Sequence, residues 1–351
     1  MSLLNLWGKL YTDKTVWLDR TLNKFIESLK SSELKDILKT SIKGTVTISV
    51  YGKSQVGKTT FILNLLNIKQ ESLKRIHTIL RCGSKPGEAA TPTAMIYSIN
   101  FDGIFCIRYS DSKKEFTSEE DVESELKQVR KRIENESDFQ IDEIVIEIPN
   151  KYFNDTNDIY IQIMDLPGIN SSNEKESKHV ERILKKFIPV SAYIFVFQIG
   201  SDINDLSNLF NHNILNTTYG WNVMPKRYIA IITRAFTAES VFRSFNSDEV
   251  NSGKNWIKEH YRKQANINPS NPHNLPEEVK IFPLEMCDSL NDIPHKYPNN
   301  SSLIESILTD FWEDIRKEVK STKGSVKLLE RLLEVPESIK KMITIKENED
   351  R

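Results

Sequence analysis

Cysteine is scarce: Cys82, Cys106 and Cys287 are the three in 351 residues, and they stand far apart. No C-x-x-C pair exists, which argues against a zinc site and a disulfide framework and makes a reducing, cytoplasmic setting the expectation. The six histidines are scattered, and none pairs at metal-ligand spacing. A dominant charge is missing too. With a net charge of −1, the molecule as a whole is not built as an electrostatic partner for nucleic acid or anionic lipid. The basic run Arg130-Lys131-Arg132 lies among Glu119, Glu120 and Glu134 and reads as a solvated helix face. No apolar run approaches the ~18 residues that a bilayer crossing needs. The N-terminus lacks the apolar stretch and cleavage site of a secretory leader.

What is present alternates in period. Leu18, Leu22, Phe25 and Leu29 share one helical face, and Leu34, Ile37 and Leu38 begin another. Val46-Thr47-Ile48-Ser49-Val50-Tyr51 is short and β-rich and runs directly into a glycine loop. Phe61, Ile62, Leu65 and Leu66 then return to helical spacing. Further strands are expected at 95–99, 104–109, 143–148, 159–164, 193–198, 228–233 and 279–284. Helices are expected at 118–135, 176–187, 203–215, 248–265 and 302–320. Phe101-Asp102-Gly103 predicts a hairpin turn, because Asp-Gly supplies the positive φ that such turns demand. The fold class that follows is α/β: a mostly parallel sheet with an added antiparallel stretch, flanked by N- and C-terminal helices. The stripe Leu303, Ile304, Ile307, Leu308, Phe311, Trp312 and Ile315 carries a mixed-charge polar face, which predicts packing on protein rather than lipid.

Chemistry concentrates in three motifs. The first, Gly52-Lys53-Ser54-Gln55-Val56-Gly57-Lys58-Thr59, sits between a strand and a helix, the context a phosphate loop requires. Gly52 permits the turn, and Gly57 lets the backbone approach an anion without a Cβ in the way. Lys58 is expected to bridge the β- and γ-phosphates and Thr59 to hold Mg²⁺. The second, Asp165-Leu166-Pro167-Gly168, ends an apolar strand. Its carboxylate is expected to hold Mg²⁺ through water, and Gly168 to place a backbone N–H near the γ-phosphate. The third is Ala90-Thr91-Pro92-Thr93-Ala94, placed where a switch loop belongs. Thr93 is preferred as its Mg²⁺-ligating threonine because it directly precedes a strand, with Thr91 the alternative.

These motifs in this order resemble the dynamin-like large GTPases over about residues 44–290. The long interval from Thr93 to Asp165, the D-L-P-G sequence and a second hydroxyl residue, Thr60, after the loop carry the resemblance. It implies a P-loop GTPase-type domain at 44–295, with helical segments at 1–43 and 296–351. It also implies Mg²⁺, GTP hydrolysis to GDP and phosphate, and nucleotide-dependent dimerisation or switching. A homodimer through the GTPase domain and a protein partner supplying a stalk or effector follow from the same likeness, and membrane contact stays open. Such proteins lack a water-orienting glutamine after the D-x-x-G motif; Ile169 stands there in this chain. Ser54 and Gln55 are the candidate catalytic helpers beside Lys58 and Thr93.

The chain departs from the family at the base. Thr233 and Arg234 fit the first two positions of the [TN]KxD-type segment, but Phe236 replaces its guanine-reading Asp. Glu239 is the nearest downstream acid that could substitute. Glu285-Met286-Cys287 stands where the last base-contacting loop belongs. Two further readings therefore remain open at this point: ATP in place of GTP, and a regulatory or assembly subunit that binds nucleotide with little turnover.

Overall fold

A computed structural model of the chain describes residues 46–81, 91–110, 112–135, 141–154, 161–168, 174–188, 191, 193–210, 225–266 and 275–320. The N-terminal helical segment 1–43, the tail beyond 320, Ile169 and most of the 268–276 loop lie outside the described residues.

In chain order the elements are β1 (Val46–Gly52), α1 (Lys58–Leu65), α2 (Gln70–Leu80), β2 (Ala94–Asn100), β3 (Phe105–Tyr109), β4 (Ser112–Phe116) and α3 (Glu119–Asn135). There follow β5 (Glu143–Pro149), β6 (Ile161–Asp165), α4 (Glu174–Phe187), β7 (Tyr193–Ile199), a 3₁₀ turn (Gly200–Asp205) and α5 (Leu206–Phe210). The last are β8 (Tyr228–Thr233), α6 (Glu239–Phe242), α7 (Val250–Asn266), β9 (Lys280–Pro283), α8 (Ile293–Lys296) and α9 (Ser301–Lys320). Among the described residues nine strands form one sheet, ordered β4-β3-β5-β2-β6-β1-β7-β8-β9.

β1 lies parallel between β6 and β7, and β8 and β9 extend the parallel half. These strands are buried almost without alternation; every residue of β8 is buried. That is the signature of strands covered on both faces by helices. The other half mixes directions. β2 runs parallel to β5 but antiparallel to β6, and β3 runs antiparallel to both β5 and β4. The expected parallel sheet with an antiparallel stretch is what the chain forms.

The expected hairpin at Phe101-Asp102-Gly103 is corrected. The chain does turn there, with Gly103 at φ 77° and Asn100 Oδ1 accepting from the Asp102 N–H at 2.7 Å. Yet β2 and β3 are not neighbours, because β5 pairs with both and separates them. Turn chemistry is local, whereas pairing follows burial. β2 is largely buried and takes a strand on each side. The hairpin in this region joins β3 to β4 and turns at Ser110, φ 49°. β4, Ser-Lys-Lys-Glu-Phe, is a strand not among those expected. As the sheet's edge its charges are useful, blocking further strand addition.

The apolar stripe of α9 is spent on the domain. Ile304, Ile307, Phe311 and Ile315 are fully buried, each contributing about 1.5–3 kcal/mol. Trp312 stacks on Phe61 of α1 at 5.2 Å between centroids, and Phe311 meets Phe282 of β9 edge-on at 6.3 Å. Lys254 of α7 reaches Asp310 at 3.2 Å and Asp314 at 3.0 Å. Among the described residues no helix is long and apolar enough to cross a membrane.

Candidate nucleotide site

Parallel pairing brings the C-terminal ends of β1, β6, β7 and β8 to one edge of the sheet, where ligands of open α/β sheets bind. The glycine loop leaves β1 at that edge. Gly52 has φ 151°, and a Cβ on it would fall 2.6 Å from the Phe197 carbonyl oxygen of β7. Gln55 at φ 65° and Gly57 at φ 92° complete a loop whose successive N–H groups can converge on an anion. α1 starts at once, adding the N-terminal end of its dipole. The Lys58 ammonium is buried and rests on two loop carbonyls, Gly52 O at 3.1 Å and Lys53 O at 2.9 Å. Burial pulls its pKa below the ordinary lysine value, and the charge of Asp165 opposes that pull. Thr60 is buried in the first turn of α1.

Asp165 is the last residue of β6, in register with Val50 of β1 and Met95 of β2, and is fully buried. Its Oδ2 accepts from Thr59 Oγ1 at 2.8 Å and from Thr91 Oγ1 at 3.2 Å. Its Oδ1 has no hydrogen-bond partner among the described residues. Burial raises the carboxyl pKa, while the Lys58 charge and the two hydroxyls work against it. A buried oxygen left without a donor is costly. Together with the Thr59 hydroxyl it makes the hard oxygen set that Mg²⁺ takes, so the residues present fit that ion.

Thr93, the threonine preferred from sequence, is not brought to this cluster. Its hydroxyl donates to Ile141 O and Asp142 O, each at 2.8 Å, and it is fully buried. The reason lies in its nearness to the sheet. Ala94 pairs with Glu143, so the residue before β2 lies against the residues entering β5. Thr91, two positions earlier, is clear of that edge and reaches Asp165.

The tip of the loop lies against the D-L-P-G glycine. A Cβ on Gly168 would fall 2.2 Å from Ser54 Oγ and 2.8 Å from Ser54 N. Only glycine allows that approach. Gln55 is exposed at the loop crest and Val56 is buried beneath it. Lys53 turns sideways to Asp205, 2.8 Å away, in the turn after β7.

The base side begins where Thr233 Oγ1 donates to Val56 O at 2.9 Å, tying the end of β8 to the loop. Met286 lies beside Gly57, its Cε 3.4 Å from where a Cβ would stand. Arg234 follows with φ 51° and an exposed side chain. Phe236 points into the core, fully buried, with its ring edge-on to Phe245 at 5.9 Å. Glu239, the candidate substitute acid, is exposed on α6 and ion-paired with Arg243. The acid that does engage this loop is Glu285, at the exit of β9. Its Oε2 accepts from the N–H groups of Phe236 at 3.0 Å and Thr237 at 3.1 Å. Thr237 Oγ1 donates to the same carboxylate at 3.2 Å. Burial raises the Glu285 pKa, and these bonds, with one from Ser289, oppose it. Sequence reasoning placed Glu285 near the base but missed this clamp. Its one local signal is an acid immediately after a buried strand.

Residues 48–235 match the family model described as the dynamin family. Among solved structures, two similar chains come from an oligomerised bacterial dynamin pair described as sensing and tethering membranes over long range. Identities are 13% and 14%, and TM-scores 0.43 and 0.42. Each alignment covers 98% of this chain but 57% of the other, so the chain spans little more than half the length of those structures. No curated protein matches it.

Proposed function

The chain belongs to the dynamin family, and from that premise we propose that it binds GTP with Mg²⁺, hydrolyses it to GDP and phosphate, and uses the cycle as a switch. The observation that carries this reading is Asp165: a fully buried carboxylate at a strand end, one oxygen on Thr59 and the other without a partner. Thr59, Asp165 and Thr91 would hold Mg²⁺, which supplies charge neutralisation at the phosphates when bound. Lys58 leaves its two loop carbonyls for the β- and γ-phosphates. The loop N–H groups from Lys53 to Thr60 and the Gly168 N–H orient the triphosphate. Arg234 lies beside the base, its stem along the ring plane.

Phosphoryl transfer asks mainly for in-line positioning and charge compensation. Ser54, touching Gly168, and Gln55, exposed at the crest, are the side chains suited to complete the site, Gln55 from its own loop or across a dimer. Dimerisation through this edge, a partner supplying a stalk or effector, and a cytoplasmic setting belong to the same proposal. The apolar stripe of α9 is committed to the domain, so that stripe would not be the surface for membrane contact of the kind described for the bacterial pair. Stacking of Trp312 on Phe61 supplies a physical route from the phosphate-loop helix to α9.

Steady-state phosphate release from GTP, across protein concentration, tests the reading. Release should depend on Lys58 and rise per molecule with concentration. Equal release by Lys58→Ala would sink it, and Lys58-dependent binding with no release would leave the regulatory subunit in its place.

A further inference from the structure

The base side of the site has lost a reader without losing its rigidity. Three consecutive residues, Ala235 to Thr237, have every backbone polar group paired inside the protein. Ala235 N donates to Leu284 O at 3.1 Å, and Ala235 O accepts from the Tyr261 hydroxyl at 2.5 Å. Phe236 N donates to Glu285, and Phe236 O accepts from the Tyr297 hydroxyl at 2.7 Å. Thr237 N also donates to Glu285, and Thr237 O accepts from Lys296 at 2.6 Å. These partners come from α7, from α8 and the residue after it, and from the exit of β9. Moving the loop to present a different group would break several buried bonds at once.

Guanine differs from other 6-oxopurines at C2, where an amino donor stands beside the N1–H donor. Reading that edge takes an acceptor, ideally a carboxylate. Residues 234–237 offer no free carboxylate. The Arg234 side chain carries donors only, and its carbonyl faces the Thr237 hydroxyl at 3.5 Å. Ala235 and Phe236 are buried, and the Thr237 hydroxyl is turned to Glu285. Glu285 itself is 1% exposed and already accepts from two N–H groups. Glu239 is paired with Arg243.

We infer that this site holds its nucleotide by the triphosphate and the face of the base, and that among the described residues nothing reads the C2 edge. Its substrate class is then purine nucleoside triphosphates whose C2 substituent goes unread, with GTP, ITP and XTP accepted alike. The inference rests on the nucleotide-binding reading above.

Equilibrium binding of GTP, ITP, XTP and inorganic tripolyphosphate to the full chain with Mg²⁺ tests it. ITP lacks the 2-amino group, and XTP replaces it with an oxygen that a carboxylate would repel. A charged acceptor on the amino group would be worth about tenfold or more in affinity. The expected result is three nucleotides within about threefold of each other, since no such bond forms. Arg234→Ala should weaken all three by about threefold to tenfold and leave tripolyphosphate unchanged, as lost contact with a ring face predicts. A preference for GTP of about tenfold or more over either analogue would overturn the inference while leaving nucleotide binding intact. Equal weakening of tripolyphosphate by Arg234→Ala would overturn the ring-face contact. Failure of all four probes to bind would overturn the underlying reading as well.

Discussion

At the phosphate end polar groups are left under-used. Asp165 keeps one buried oxygen without a donor, and Lys58 rests its ammonium on carbonyls of its own loop. At the base end the backbone from Ala235 to Thr237 is fully paired, and Phe236 fills the core. The first region carries electrostatic cost that a cation and an anion would relieve. The second, from Ala235 to Thr237, is a finished scaffold whose backbone has no unmet demand. Recognition energy should therefore come from phosphates and metal, and mutations at the two ends should fail differently.

The largest effect is expected from Asp165→Asn, which keeps an acceptor for the two hydroxyls but removes the charge. Turnover of GTP should fall about hundredfold or more. Thermal stability without Mg²⁺ should be no lower, because burial already disfavours the ionised carboxylate. A clear loss of melting temperature would show that the carboxylate holds the fold rather than the ion. Next comes the opposite phenotype. Glu285→Ala strips the acceptor from two N–H groups and should cost on the order of 2–4 kcal/mol in denaturant unfolding. Tripolyphosphate affinity of the folded fraction should not change; if it does, the two ends are not separable.

Gly168→Ala is smaller and sits on the phosphate side. Its Cβ would fall 2.2 Å from Ser54 Oγ, so one loop must give way at about 1–3 kcal/mol. Turnover should drop about tenfold or more, since in-line geometry is sensitive to small displacements. Unchanged turnover would remove the Ser54–Gly168 contact from the mechanism. The smallest effect is a pH slope. Glu285 has a folded pKa raised above its ordinary 4.5, so the folded state keeps a proton that the unfolded chain has released. Stability should decline as pH rises from that value through the raised pKa and then level off. Glu285→Gln has no charge to bury, so urea midpoints across this range should show it gaining on the wild type. Parallel midpoints would mean that the clamp's hydrogen bonds cancel the effect of burial.

Much of the phosphate end was legible before any fold was known. Gly52, Gly57, Lys58 and Thr59 are specified by local demands: turns at positive φ, backbone close to an anion, and an ammonium and hydroxyl one residue apart. Asp165 announced itself by ending an apolar strand. Thr93, preferred from the sequence, stands away from Asp165 because adjacency to a strand does not bring nearness to that carboxylate. In fact it brings Thr93 within reach of the carbonyls of Ile141 and Asp142, which take its hydroxyl. β4 escaped notice because an edge strand needs no apolar face, and its lysines and glutamate look like loop.

By itself, then, the sequence determined a strand–glycine loop–helix unit, the carboxylate facing it and an α/β frame, because each depends on residues within a few positions of one another. The insertion of β5 between β2 and β3, the approach of Thr91 rather than Thr93 to Asp165, the inward turn of Phe236 and the Glu285 clamp were decided only by tertiary structure. Each depends on which distant group supplies a pairing edge, an acceptor or a cavity for a ring. Phe236 N and Glu285 are 49 residues apart, and nothing in the spacing around either residue says that they meet.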